Sequence, residues 1–149
     1  MKHTVLRALA AAVLAVCAAA TVHASDEWST NYEAALAKAK ADKKLLLAEF
    51  TGSDWCPPCK KQAAEVFSQQ EFKDYAAKKL VLLQLDFPRE KTIAEDVKKQ
   101  NNELKGKFGI KGFPTVIVLN GEGKELGRWV GYSGGGPAGL ISQIDALKP

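Results

Sequence analysis

Two cysteines separated by two prolines are the residues best suited to chemistry in this sequence. Cys56 and Cys59 form a C-x-x-C pair, a spacing found in zinc sites, structural disulfides and redox-active dithiols. A disulfide that closes so short a loop adds little stability, because the chain-entropy effect grows with loop length. The spacing therefore favours a pair that opens and closes, while a structural disulfide remains the alternative.

A metal site is disfavoured by the shortage of other ligands. Structural zinc needs four ligands from Cys, His or carboxylate groups, and soft copper sites use thioether or imidazole ligands. The only histidines are His3 and His23, and the only methionine is Met1. All three precede the cleavage point predicted below. We therefore expect no metal and no cofactor beyond the Cys56–Cys59 redox pair.

The position of the cysteines divides their tasks. They follow an apolar run at residues 45–50 and open a helical pattern, in which Pro57 and Pro58 suit the first turn. A helix N-terminus favours negative charge and so stabilises the thiolate of Cys56. Cys59 lies inside the first turn and should be less exposed. Cys56 is thus predicted to attack a disulfide, and Cys59 to resolve the mixed disulfide.

A proton acceptor for Cys59 must be found without histidine. Glu49 lies seven residues before Cys56, inside the apolar run. Burial raises the pKa of a carboxyl group, which suits proton transfer near neutral pH. Glu49 is therefore the candidate base; the alternative places it on a solvated strand edge.

The first 24 residues have the pattern of a secretory signal peptide. Lys2 and Arg7 precede an apolar stretch at residues 8–22, and small residues lead to a cleavage site after Ala24. A membrane anchor needs about 20 apolar residues, more than this run supplies. We therefore expect export, with the periplasm as destination.

Cys17 offers a second interpretation of the same segment. Residues 14–17 resemble a bacterial lipoprotein signal, although that pattern wants a small residue where Val16 stands. Cleavage after Ala24 would instead remove Cys17. The mature chain would then keep two of the three cysteines, Cys56 and Cys59.

Composition and charge describe one soluble globular domain. The 149 residues are 46% hydrophobic and 26% charged, and the formal charge is +4, which falls to +2 without residues 1–24. No concentrated basic face of the kind that binds nucleic acid is evident. We expect a signal at residues 1–24 and a single domain at residues 25–149.

The apolar patterns predict an α/β fold with a mixed sheet covered by helices on both faces. Thr30 and Ser68 each begin a capping-box pattern. The predicted order is helix 32–42, strand 45–50, helix from 57 through 67 and again toward 77, strand 80–86, a helix opening at 92–95, hairpin strands 115–119 and 124–130, and a helix after Pro137.

Several motifs together resemble the thioredoxin superfamily. They are WCPPC at residues 55–59, FGIKGFPT at 108–115 and WVG at 129–131, and the similarity extends over about residues 45–147. The stretch FTGSDWC at residues 50–56 is most similar to exported bacterial thioredoxin-like proteins. The resemblance implies a thioredoxin fold and thiol–disulfide oxidoreductase activity.

The resemblance also implies a substrate-binding surface. Pro114 would follow a cis peptide bond and pack against the cysteines, and the backbone of Phe113 would pair with substrate. Trp55 would cover one side of the pair, and Pro57 and Pro58 would form the active-site loop. An ordinary trans turn at Pro114 is the alternative.

Three features depart from the superfamily pattern. Glu49 stands where the family usually has a buried aspartate, with one extra residue before the cysteines. The lysine that often accompanies that acid would fall near Leu82 and is missing. Pro57-Pro58 replaces Gly-Pro, as in tryparedoxin-like and nucleoredoxin-like proteins, which favour reduction.

These observations predict an exported monomeric protein that reduces or exchanges the disulfides of protein substrates through a dithiol–disulfide cycle of Cys56 and Cys59. Its electrons would come from another thiol protein, such as a membrane-bound disulfide reductase, and no membrane anchor would remain after signal cleavage. The alternatives are a periplasmic dithiol oxidase or isomerase, and a non-catalytic thioredoxin-fold binding or chaperone module.

Overall fold

The computed structural model describes residues 28–148, so the predicted signal at residues 1–24 and Cys17 lie outside it. The helices are α1 (Tyr32–Asp42), α2 (Pro57–Gln62), α3 (Gln70–Lys79), α4 (Glu95–Lys107) and α5 (Gly136–Asp145), with a π-helical turn at Ala63–Phe67. The strands are β1 (Leu45–Thr51), β2 (Leu80–Asp86), β3 (Thr115–Leu119) and β4 (Glu125–Val130). No helix within residues 28–148 is long and apolar enough to cross a membrane.

The four strands form one mixed sheet in the order β2-β1-β3-β4. Strand β1 runs parallel to β2 and antiparallel to β3, and β3 forms a hairpin with β4. Thr51 pairs with Asp86, and Phe50 pairs with Thr115. The ends of β1 and β2 and the start of β3 therefore meet at one edge of the sheet, which we call the catalytic edge.

Two hydrophobic cores cover the two faces of the sheet. Alternate residues of a strand point to opposite faces, and Leu46 and Phe50 of β1 accordingly belong to the core beneath α1 and α4. Leu47 belongs to the opposite core, beneath α3, α5 and the π-helical turn. By the same alternation Glu49 lies on the face of Leu47. The predicted mixed sheet with helices on both faces is confirmed.

The helix starts differ in detail from the predicted capping boxes. Asn31, rather than Thr30, caps α1, because its Oδ1 accepts the Ala34 N–H at 2.8 Å. Ser68 makes no cap at α3; its hydroxyl donates to the Ala64 carbonyl at 2.7 Å. The helix that starts after Cys56 ends in the π-helical turn, a local widening that is frequent near functional sites.

Candidate redox-active site

The two cysteines form a disulfide at the start of α2. Cys56 is the N-cap residue with extended backbone, and the two prolines occupy the first two helical positions. The N–H of Cys56 donates to the Gly52 carbonyl at 2.9 Å, which holds the loop after β1 against the helix start. Cys56 is 3% and Cys59 1% exposed, so the expected contrast in exposure is small in the disulfide form.

Glu49 is an interior residue of β1, and it is not on a solvated edge. Only 2% of the residue is exposed, and it pairs in register with Gln84 on β2 and Val116 on β3. Burial raises the pKa of Glu49 from its ordinary 4.5 to about 7, although hydrogen bonds from the side chains of Gln84 and Thr51 oppose the rise. Glu49 can therefore take up or release a proton near neutral pH.

Gln84 is the neighbour of the buried acid, and sequence reasoning missed it. The lysine of the superfamily would fall near Leu82, but Leu82 pairs with Leu47, which lies two residues before Glu49 on β1. The Nε2 of Gln84 donates to the Oε2 of Glu49 at 3.3 Å. A neutral amide stabilises the carboxylate less than an ammonium group would. Because a neutral amide and not a lysine lies beside Glu49, the pKa of this acid stays near neutrality.

A cavity connects the inner cysteine with the surroundings of Glu49. It measures about 490 Å³, and its walls include Cys59, Thr51, Ser53 and Gln84. Gln84 lines this cavity together with Cys59, and it also donates a hydrogen bond to Glu49. The carboxylate of Glu49 is therefore separated from the cavity by this one residue. The wall is mostly apolar, and the side chains of Thr51, Ser53 and Gln84 supply its polar groups. A water held by these groups can carry a proton between residues that do not touch.

Trp55, Phe87 and Phe113 form an aromatic platform at the catalytic edge. The Trp55 and Phe113 rings meet edge to face at 6.0 Å, and Phe87 stacks on Phe113 at 5.0 Å. The indole Nε1 of Trp55 donates to the Phe87 carbonyl at 2.8 Å. Phe87 was assigned no function from the sequence, since nothing in its local pattern shows that it meets residues 26 positions later.

Gly52 provides the space in which the indole of Trp55 lies. A Cβ built at residue 52 would come within 2.5 Å of Cε2 of the Trp55 ring. Real Cβ atoms do not approach that closely, so any side chain at this position would displace the indole. The glycine of the FTGSDWC stretch is therefore required for the platform.

Phe113 and Pro114 lie on the same edge as the cysteines, because the next residue, Thr115, pairs with Phe50. The Phe113–Pro114 peptide bond is cis, and Pro114 is buried. The Pro114 carbonyl accepts the N–H of Gly131 at 2.8 Å, which joins this turn to the end of β4.

Asp54 fixes the loop that carries Phe87. Its carboxylate accepts the backbone N–H groups of Arg89, Glu90 and Lys91 at 2.8–3.2 Å. Desolvation opposes ionisation, but these hydrogen bonds outweigh it and lower the pKa of Asp54 to about 2. One aspartate in the active-site loop thereby holds the β2–α4 loop beside the disulfide.

Metal ligands do not cluster in the described part of the chain. Within residues 28–148, no group of three or more His, Cys, Asp or Glu side chains is arranged to hold a metal ion.

Known proteins resemble this chain in sequence and in fold. The sequence model of the thioredoxin-like domain family matches residues 32–140. The disulfide bond reductase DsbH of Chlamydia pneumoniae is 37% identical over 123 residues, which cover 82% of this chain and 73% of that protein. A solved structure of DsbH oxidoreductase is 34% identical with a TM-score of 0.75, covering 80% of this chain and 82% of the other.

Another relative matches over a smaller part of its length. The thiol:disulfide interchange protein DsbD of Actinobacillus pleuropneumoniae is 32% identical over 88 residues, or 59% of this chain. The match spans 13% of that protein. The family match covers most of the chain and includes the Cys56–Cys59 pair. The chain therefore belongs to the thioredoxin-like family, and it is a thiol–disulfide oxidoreductase.

Proposed function

We propose that this protein is exported and reduces disulfide bonds in other proteins through Cys56 and Cys59. The observation that carries the proposal is the cysteine pair at the start of α2. Cys59 lines a cavity with Gln84, and Gln84 donates a hydrogen bond to the buried carboxyl group of Glu49. The reducing direction draws support from DsbH, whose name describes a disulfide bond reductase.

The reaction begins with the reduced dithiol. The thiolate of Cys56, stabilised by the N-terminus of α2, attacks one sulfur of the substrate disulfide. The substrate S–S bond breaks as the mixed disulfide forms, and the departing substrate thiolate takes up a proton from solvent. At this stage one substrate sulfur is reduced to a thiol, and the other is still bonded to Cys56 in the mixed disulfide.

Cys59 completes the exchange. Its thiol transfers a proton through the cavity to the carboxylate of Glu49, and the resulting thiolate attacks the sulfur of Cys56. The second substrate sulfur leaves as a thiolate, and the Cys56–Cys59 disulfide forms. A second thiol protein must then restore the dithiol by the reverse exchange. We expect that donor to be a membrane-bound disulfide reductase.

The catalytic edge supplies the binding groups for the substrate. An extended substrate segment pairs with the backbone of Phe113, while Trp55 and Pro114 contact the side chains next to the substrate cysteine. Pro57 and Pro58 keep the active-site loop rigid, since their rings fix φ in the first turn of α2.

The test is the reduction of a protein disulfide, such as that of insulin, by wild type and two cysteine variants. Cys56→Ser should abolish turnover, whereas Cys59→Ser should accumulate a mixed disulfide, because the first attack proceeds and the second does not. Glu122→Gln, an exposed position in the β3–β4 turn at the opposite end of the sheet, serves as the control. Full activity of Cys56→Ser would refute the proposal.

Export is tested on the full chain in a Gram-negative host. Residues 1–24 should direct the protein to the periplasm, and the mature N-terminus should be Ser25. A chain with residues 2–24 deleted should stay in the cytoplasm. A mature protein that retains residues 1–24, or one lipidated at Cys17, would contradict the assignment of residues 25–149 as the mature domain.

A further inference from the structure

Two cations lie against the aromatic platform. The Cζ of Arg89 is 3.8 Å from the centroid of the Trp55 ring. The Nζ of Lys105 lies 5.6 Å from the Phe87 ring and 5.5 Å from the Phe113 ring. All three distances are within the roughly 6 Å over which a cation is attracted to an aromatic face. The platform thus carries a positive charge near each end.

Neither cation is neutralised by a carboxylate of the described chain. Among residues 28–148, no Asp or Glu forms an ion pair with Arg89 or Lys105. The carboxylate of Asp54, in the loop that precedes Trp55, already accepts three backbone N–H groups. Asp86 accepts from the N–H and hydroxyl of Ser53. The two positive charges are therefore available to a partner.

The rings and the cations together define a binding chemistry. Aromatic faces shield one side of each cation from water, and they leave the other side open to a carboxylate. The platform borders the active-site disulfide through Trp55, so a substrate cysteine engaged by Cys56 brings its flanking residues over it. Charge complementarity at such a rim raises the association rate and selects among partners.

We propose that Arg89 and Lys105 make the protein selective for disulfides that lie within a few residues of Asp or Glu in the substrate chain. The occupant of the platform is an acidic polypeptide segment, presented together with the disulfide. This inference rests on the proposed reduction of protein disulfides, and it names the class of substrate.

The first experiment compares three disulfide-bridged peptides that differ only at the two residues flanking a cysteine, which are Glu, Gln or Lys. We expect kcat/KM to be about tenfold higher for the Glu peptide than for the Lys peptide at low salt. The ratio should fall toward about twofold at 0.5 M salt, because salt screens exposed charges. Equal kcat/KM for the three peptides would overturn the inference.

The second experiment assigns the selectivity to the platform. Arg89→Gln and Lys105→Gln should each reduce the Glu-to-Lys ratio about threefold. Lys124→Gln is the matched control, because it removes the same charge from the β3–β4 turn at the opposite end of the sheet. A ratio unchanged in both platform variants, or lowered equally by Lys124→Gln, would refute the role of Arg89 and Lys105.

A binding measurement separates this inference from the proposed function. Cys56→Ser cannot turn over peptides, so its affinity for the Glu and Lys peptides reports the platform alone. Tighter binding of the Glu peptide would support the inference. A wild-type protein that bound the Glu peptide more tightly but reduced no peptide would refute only the reductase activity. Equal affinities, or competition by single-stranded DNA and not by polyglutamate, would overturn it.

Discussion

Replacing Glu49 with glutamine removes the buried carboxyl group of β1 and keeps the shape of the side chain. The oxidised protein is the right state for this change, because Cys59 then carries no proton that could mix with the titration. Glutamine is neutral at every pH, and its Oε1 can still accept from Gln84. The added amide donors impose a cost that does not depend on pH.

The size of the effect follows from the raised pKa. In the folded protein Glu49 holds its proton up to about pH 7, whereas in the unfolded chain it releases it near 4.5. The unfolded state therefore binds fewer protons between these values, and the free energy of unfolding falls as pH rises through this window. The loss amounts to about 3 kcal/mol and is complete above about pH 7.

Urea unfolding of oxidised wild type and Glu49→Gln, between about pH 4 and pH 8, measures this difference. As the pH rises through that range, the free energy of unfolding of the variant should increase by about 3 kcal/mol relative to that of wild type. Glu122→Gln is the control, because Glu122 is exposed in the β3–β4 turn, and its curve should stay parallel to wild type.

Parallel curves for Glu49→Gln and wild type would refute the reasoning. They would mean that Glu49 ionises at the same pH in the folded and unfolded chains. Its pKa would then be too low for it to accept the Cys59 proton efficiently near neutral pH. A constant offset alone would report packing and hydrogen bonding rather than a raised pKa.

Three further predictions concern the neighbours of the site. Gln84→Lys should lower the pKa of Glu49, and the pH at which the rate of disulfide reduction is half-maximal should fall by about one unit. An unchanged pH profile would show that the rate does not depend on the ionisation of Glu49. Asp54→Asn should speed amide hydrogen exchange at residues 89–91. Acid should have the same effect on wild type only near pH 2, where the lowered pKa of Asp54 lies. Unaltered protection of these amides in the variant would show that Asp54 does not hold the loop. Gly52→Ala should displace the indole of the platform, alter tryptophan fluorescence and raise KM for protein substrates; a wild-type spectrum with wild-type KM would contradict the close packing.

The strands were predictable because their local patterns are strong. Residues 80–86 and 115–119 are apolar runs bounded by polar or turn residues, and β2 and β3 have those bounds. The burial of Glu49 followed from the same logic, since an acid inside an uninterrupted apolar run has apolar neighbours on both sides. Local sequence thus predicts which segments enter the sheet.

Contacts between distant segments were not predictable in this way. Gln84 meets Glu49 only because β1 and β2 pair in one particular register, and no pattern within either strand specifies that register. Phe87 and Arg89 reach the platform because Asp54 binds their loop through backbone N–H groups, which every residue type except proline offers. Such contacts depend on geometry, and single-sequence patterns do not encode it.

The π-helical turn after α2 is a third feature beyond the reach of pattern analysis. Residues 57–67 have a continuous helical pattern, yet the chain widens at Ala63–Phe67. Within the described residues, the Oε1 of Gln62, just before this turn, is buried without a hydrogen-bond partner. Ala63 and Ala64 of this turn line the cavity beside Cys59.

The reduction potential of the Cys56–Cys59 pair, measured by equilibration with glutathione, tests the central claim most directly. A reductase of this fold should lie closer to the roughly −270 mV of thioredoxin than to the roughly −120 mV of a strong dithiol oxidant. We predict a value near the reducing end, with Cys56→Ser abolishing the transition. A value near the oxidising end would contradict the proposed direction and assign the protein to disulfide formation.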